Sequence, residues 1–189
     1  MSNPFVAPSL LPYAFPPFAE IRDEHFEPAF EFGMAEQRAE LAAIIDTAEP
    51  ATFANTLEPL ERSGQILARV SHVFFHLSSS HSSDFSNALE EKLAPKLAEH
   101  YDAIMLDHAL HRRIAAVHES EEPLTDEQRY LVERWHVEMT RAGAGLDEES
   151  KTRLRELNQQ ISTLTTRFEK ALLADTNDLA VHLDSESDL

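Results

Sequence analysis

The sequence predicts an all-α protein, an antiparallel bundle of about five or six helices. Only four of the 189 residues are glycine, which is few for a fold rich in β-turns. Thr125 with Gln128 forms a capping box, a signal that opens a helix. Apolar residues also recur every three or four positions near the carboxy end, as on one face of a helix. They are Leu154, Leu157, Ile161, Leu164, Phe168 and Leu172.

The composition is that of one globular domain. Hydrophobic residues make up 42% and charged residues 26% of the chain, and the net charge is −18. An acidic surface repels phosphate groups, so we expect neither nucleic acid nor membrane as a partner. The sequence has no cysteine, which excludes disulfides and thiolate zinc sites and suits a reducing cytoplasm. No basic and apolar leader or long apolar run is present, so we expect a cytoplasmic protein.

Residues 1–22 are expected to form an extended segment packed on the helical body. Prolines exclude a helix interior here; they are Pro4, Pro8, Pro12, Pro16 and Pro17. The segment is also too apolar for a free tail, because aromatic and leucine side chains alternate with the prolines. These side chains are Phe5, Leu10, Leu11, Tyr13, Phe15 and Phe18.

Residues 23–175 are expected to form the helical domain. The first helix begins between Asp23 and Glu27, with Pro28 tolerated in its first turn. Asn55 or Thr56 can cap the second helix. Its apolar stripe contains Gly64, which predicts a close crossing of two helices. The stripe consists of Leu57, Leu60, Leu67, Val70, Phe74 and Leu77.

Three more helices precede the last one. Asp84 is a plausible cap for the third, in which Pro95 predicts a kink. A shorter helix covers about 109–117. The helix that starts at the Thr125 capping box is closed by Gly143 and Gly145.

The last helix begins after Asp147 and carries the clearest apolar pattern of the chain. A coiled-coil partner is one explanation of this pattern. We favour the other, in which the apolar face points into the core of the bundle. After Asn177, Leu179, Val181 and Leu183 alternate with polar residues, as in a strand. We therefore expect 176–189 to begin a strand or linker into a missing catalytic region, so that the sequence ends in mid-fold with a truncated strand.

Histidine spacing suggests a metal site only weakly. His72 and His76 lie one helical turn apart, but Val73 replaces the glutamate of the His-Glu-x-x-His motif and no third ligand is evident. His108 and His111 are weaker candidates. Glu133 and His136 match half of a di-iron motif without a second copy, so the spacing is attributed to chance. We assign no catalytic, cofactor-binding or metal-ligating residue in this chain.

Several motifs, in their order along the chain, resemble the thimet-oligopeptidase-like zinc metallopeptidases. They are Asn3-Pro4-Phe5, Leu11-Pro12-Tyr13, His25-Phe26-Glu27-Pro28-Ala29-Phe30, Asn55-Thr56-Leu57, Ala94-Pro95-Lys96-Leu97 and Ala142-Gly143-Ala144-Gly145-Leu146. The first two motifs lean to the bacterial peptidyl-dipeptidases (dipeptidyl carboxypeptidases) rather than to oligopeptidase A. The His-Glu-x-x-His motif of that family does not occur in these 189 residues.

The resemblance implies a helical enzyme of two lobes around a deep cleft, with zinc bound by the missing motif. In such an enzyme this chain corresponds to an amino-terminal domain that forms one wall of the cleft. The parent would remove dipeptides from the carboxy ends of short peptides. Its partners would be those peptides and the catalytic lobe, and no catalytic or zinc residue of the family is carried over to this chain.

Two functional hypotheses follow. In the first, the chain is the amino-terminal domain of a zinc peptidyl-dipeptidase, inactive alone, with exposed apolar surface where the remainder docks. The alternative is a stand-alone helical module that binds peptides or proteins without catalysis, with a closed polar surface or a defined oligomer. A metal-binding bundle that uses His72 and His76 ranks last.

Overall fold

The computed structural model describes residues 3–179, and every regular element in that range is helical. Seven α-helices follow one another: α1 (Asp23–Ile45), α2 (Glu58–Arg62), α3 (Gln65–Ser80), α4 (Asp84–Met105), α5 (His108–His118), α6 (Asp126–Ala142) and α7 (Glu148–Asp178). A 3-10 turn at Pro12–Ala14 and a π-helical turn at Phe53–Leu57 complete the described elements. The prediction of an all-α bundle is confirmed.

One apolar cluster joins α1, α3 and α4, and it anchors the amino-terminal segment. Phe5 is 3% exposed, and its ring centroid lies 5.4 Å from that of Phe26 on α1. The amide of Asn3 donates to the backbone carbonyl of His25, and Arg69 donates to the carbonyl of Phe5. The buried members of the cluster are Phe5, Phe26, Ala29, Phe30, Val70, Val73, Phe74, Leu89 and Leu93.

A second apolar cluster lies between the end of α1, the π-helical turn, α5 and α6. Leu110 and Ile114 of α5, and Met139 of α6, have no exposed surface. Burial of this kind supplies most of the stabilisation of a helical bundle, because helix propensity alone is weak. The other buried members are Leu41, Ile44, Phe53, Leu57, Leu60, Ile104, Met105, Val117, Val132 and Ala144.

The expected second helix is divided in two at Gly64. This glycine has φ +71°, the left-handed conformation that glycine adopts most easily, and it separates α2 from α3. Its N–H donates to the carboxylate of Glu40 on α1 at 2.8 Å. The expectation of a continuous helix through Gly64 is therefore wrong, since the chain turns there. The cap also differs, because Thr52 rather than Asn55 or Thr56 caps the π-helical turn before α2.

Helices α1 and α3 approach each other closely at another glycine, Gly33. A Cβ atom on Gly33 would lie 2.7 Å from the backbone nitrogen of Leu67. Only a residue without a side chain allows the two backbones to come so near.

The remaining helix ends show how well local signals located the elements. Thr125 caps α6 in a capping box with Gln128, Gly143 ends α6 with φ +107°, and Asp147 caps α7, all as predicted. Ser83, rather than Asp84, caps α4. Helix α7 continues to Asp178, three residues beyond the expected boundary, and Leu179 follows it in a turn. The rest of the expected strand lies outside the described residues.

Candidate functional site

Helix α7 packs against α4 through polar side chains. The Asn158 amide donates to Oδ1 of Asp102 at 2.7 Å, and the Ser162 hydroxyl donates to the backbone carbonyl of Ala94 at 3.0 Å. Further along, Lys170 donates to the backbone carbonyl of Asn87. The three α7 side chains are four and eight residues apart, so they lie on one side of the helix. This polar side is the one that α7 turns towards the body.

The contact with Asp102 is buried, and its electrostatics follow from that burial. Asp102 is 3% exposed, and burial raises the pKa of its carboxyl, while the hydrogen bond from Asn158 and the charge of Arg155 lower it. Its second oxygen, Oδ2, has no hydrogen-bond partner within the described residues. The position therefore depends on Asn158, because a buried carboxylate without partners is costly.

The apolar side of α7 points to solvent. We call Leu157, Ile161, Leu164, Phe168 and Leu172 the apolar face of α7. Their side chains are 38%, 59%, 62%, 67% and 56% exposed, in that order. The expectation that this face points into the core is wrong. The polar residues of α7 occupy the side of the helix that lies against α4. Because successive residues of a helix are rotated by about 100° around its axis, the apolar residues lie on a different side, which faces solvent.

Burial of this face against another surface would stabilise the protein considerably. Full burial of one leucine, isoleucine or phenylalanine side chain contributes about 1.5–3 kcal/mol relative to its exposure. A contiguous apolar patch of this kind marks an interaction surface more often than a feature of a finished monomer. A groove of about 540 Å³ borders the face at Leu164. Pro95 of α4 also lines it, and its other lining side chains on α7 are polar: Glu156, Gln159, Gln160, Thr163 and Arg167.

A second exposed apolar region lies in the amino-terminal segment. Leu10 and Tyr13 are fully exposed, at 101% and 103% of their reference area. Tyr13 and Ala14 have φ values of 60° and 53°, a left-handed conformation that side chains other than glycine disfavour. The segment is thus anchored at Phe5 and projects its next apolar residues outward.

The histidine pair singled out in the sequence lies on the surface of α3. His72 and His76 are both exposed, and His72 lines a pocket of about 190 Å³ with Arg69 and the amino-terminal segment. Within residues 3–179, no group of three or more His, Cys, Asp or Glu side chains is arranged to hold a metal ion. Neither His72 nor His76 therefore belongs to such a group.

The structure brings together three histidines that sequence reasoning did not connect. The ring of His136 on α6 stacks between His111 and His118 of α5, at centroid distances of 5.3 and 4.7 Å. Burial lowers the pKa of His111, and the nearby His136, His108 and Lys151 lower it further. A spacing of seven residues between His111 and His118 was the available signal, because it places both on one face of α5. Glu133, the partner of His136 in the half-motif, is exposed.

The described residues also contain no helix both long and apolar enough to cross a lipid bilayer.

Comparison with known proteins gives consistent similarities. No protein-family model matches the chain. The dipeptidyl carboxypeptidase of Escherichia coli (strain K12) is 40% identical over 174 residues, which cover 91% of this chain and 26% of that protein. The dipeptidyl carboxypeptidase of Salmonella typhimurium is 39% identical over 92% of this chain and 26% of its own length. Oligopeptidase A of Salmonella typhimurium is 24% identical over the whole chain and 28% of its own length. The chain thus spans about a quarter of the length of these relatives.

Proposed function

The chain belongs to the family of the dipeptidyl carboxypeptidases and oligopeptidases A, as a counterpart of their amino-terminal region, and from this we propose its role. We propose that it is the amino-terminal helical domain of a zinc-dependent peptidyl-dipeptidase. The parent enzyme removes dipeptides from the carboxy ends of short peptides, and this domain forms one wall of its cleft. The observation that carries the proposal is the 40% identity that extends over 91% of the chain.

In this proposal the chain supplies shape and support rather than chemistry. The zinc ion and the residues that act on the peptide bond belong to the part of the parent beyond these 189 residues. Two observations support this division. The sequence lacks the His-Glu-x-x-His motif, and residues 3–179 offer no suitable group of metal ligands. The absence of cysteine agrees with a parent that works in the reducing cytoplasm.

The apolar face of α7 favours this proposal over a stand-alone monomeric module with a closed polar surface. A stand-alone module would have a closed polar surface, or it would cover its apolar face by forming a defined oligomer. The domain hypothesis instead requires apolar surface for the remainder of the enzyme. Five large apolar side chains on α7 that are between 38% and 67% exposed meet that requirement.

The test begins at the source gene, which is sequenced past the codon for Leu189. The expected reading frame continues for several hundred residues and includes His-Glu-x-x-His. The full-length product and the 189-residue chain are then incubated with a short synthetic peptide, and the products are identified by mass spectrometry. Carboxy-terminal dipeptides are expected from the full-length product only. Their release should stop with a zinc chelator and resume with added zinc.

Other results contradict the proposal in different ways. A stop codon directly after Leu189, or a full-length product without peptidase activity, would overturn it. Cleavage at internal bonds without release of carboxy-terminal dipeptides would replace the peptidyl-dipeptidase by a parent of the oligopeptidase A type.

A further inference from the structure

Helix α7 turns its polar side to the protein and its apolar side to solvent, which is unusual for a helix on a protein surface. Surface helices normally bury an apolar stripe and expose polar residues. Here Asn158, Ser162 and Lys170 attach the helix to α4 by hydrogen bonds. Ile161 and Phe168, on the other side, are 59% and 67% exposed. The attachment to α4 leaves the apolar face of α7 open along about four turns of helix.

The length of the relatives indicates what covers this face. The chain spans 26% of each dipeptidyl carboxypeptidase that it matches, so about three-quarters of each relative lies outside the matched part. A surface that is permanently covered resembles the core of a domain, because it never has to face water. The composition of the apolar face, entirely leucine, isoleucine and phenylalanine, is of this permanent kind.

A peptide substrate is a poorer match to the same surface. Peptide sites combine apolar contacts with polar groups that fix the peptide backbone or its terminal carboxylate. The backbone groups in the interior of α7 are already used by the helix, and the five side chains of the face contain no polar atom. The face itself therefore buries apolar surface, and polar side chains that could orient a peptide, such as Gln160 and Arg167, occur only in the neighbouring groove.

From this we propose that the apolar face of α7 is the docking surface for the catalytic region of the parent enzyme. The inference rests on the proposed function and adds to it the location of the contact. An apolar surface of the catalytic region covers the face, so that α7 lies between the catalytic region and α4. The experiment below also detects the two other possible occupants of the face, a second copy of this chain and a substrate peptide.

The absence of cysteine from the chain allows a direct measurement. Three single-cysteine variants are made: Ile161→Cys and Phe168→Cys on the apolar face, and Thr152→Cys as a control. Thr152 is also exposed on α7, but it lies nine residues before Ile161, about 180° around the helix. Each variant is prepared in the 189-residue chain and in the full-length product. The rate of alkylation by iodoacetamide is followed on the tryptic peptide that contains the new cysteine.

In the 189-residue chain the three cysteines should react at rates within about threefold of one another. In the full-length product the cysteines at 161 and 168 should react at least about tenfold more slowly, because a docked region protects them. The control at 152 should keep its rate within about threefold. Exposed positions are used so that the substitutions leave folding intact.

Three results would overturn the inference. The first is equal reactivity of all three cysteines in a full-length product that cleaves peptides. The second is protection at 161 and 168 in the 189-residue chain that increases with concentration, which assigns the face to a second copy. The third is protection in the full-length product only after an excess of substrate peptide is added. In the first case the peptidase activity shows that the proposed function still holds and that only the docking surface is misplaced.

Discussion

The imidazole Nε2 of His100 on α4 lies 2.7 Å from Oε1 of Gln37 on α1. Because an amide oxygen can only accept, Nε2 carries the proton, and the neutral ring leaves Nδ1 as an acceptor. Nδ1 is buried and has no partner within the described residues. His100 itself is 4% exposed, so the contact joins two helices through a buried neutral histidine.

This relationship predicts a loss of stability in mild acid. Burial, and to a smaller extent the charge of Arg38, lower the pKa of His100. The unfolded chain then binds a proton more readily than the folded one, so stability is full above a pH of about 6.5 and falls as the pH decreases below it. We expect the free energy of unfolding to decrease less between pH 7 and pH 5 in His100→Gln than in the unsubstituted 189-residue chain. Urea titrations at several pH values measure this difference, and parallel curves for the two proteins would contradict it.

The contact of Gly33 with Leu67 predicts that even a methyl group is too large at this position. A Cβ atom on Gly33 would lie 2.7 Å from the nitrogen and 2.9 Å from the Cα of Leu67, both backbone atoms that cannot rotate away. We expect Gly33→Ala to lower the free energy of unfolding by about 1–3 kcal/mol, although alanine favours helix formation. Gly145→Ala is the matched control, because nothing lies within 4 Å of its Cβ position. Urea unfolding of both variants tests the prediction, and equal midpoints would refute it.

The hydrogen bond from Asn158 to Asp102 predicts a stability cost that depends on pH. Asn158→Ala leaves a buried carboxylate without its partner, and we expect a loss of about 1–3 kcal/mol at neutral pH. Burial raises the pKa of Asp102 and Asn158 opposes that shift, so removal of Asn158 should raise it further. Protonation then relieves the buried charge, and the deficit of the variant should shrink as the pH falls through that pKa. Gln160 is exposed on the same helix, so the free energy of unfolding of Gln160→Ala should stay within about 0.5 kcal/mol of that of the unsubstituted chain at every pH.

The exposure of the apolar face of α7 predicts that its residues hardly affect the stability of the isolated chain. Leu164 is 62% exposed, whereas Leu93 on α4 has no exposed surface. We expect Leu164→Ala to change the free energy of unfolding by less than about 0.5 kcal/mol, and Leu93→Ala to lower it by about 2–5 kcal/mol. Thermal and urea unfolding of the two variants give the comparison. A similar loss for both would mean that Leu164 is buried in solution.

Local signals in the sequence were enough to place most helices. The side chains of Thr125 and Asp147 cap the first turns of α6 and α7, and Gly143, which has no side chain, ends α6. Such signals act within one turn of the chain and need no tertiary contact. Gly64 shows the limit of this reasoning. Its place in an apolar stripe suggested a continuous helix, but the contact of its N–H with Glu40 on another helix supports a turn.

The candidate site shows the same division. The sequence identified the apolar residues of α7 and their common face, but it favoured the core as their position. The histidine stack of His111, His118 and His136 was missed, because the rings meet across two helices that are separated in the sequence. Spacing along one helix can place two side chains on a face, but it does not specify which helix lies opposite.

The sequence by itself determined the helical class, the principal caps and the family to which the chain belongs. Those properties depend on residue types at fixed short spacings, or on similarity along the whole chain. Only the tertiary structure decided which side of α7 meets the body. That choice depends on the partners that α4 offers, the carboxylate of Asp102 and the carbonyl of Ala94, which satisfy Asn158 and Ser162. Those polar groups would be costly to bury unpaired, and in the observed orientation they are paired while the apolar face points outward.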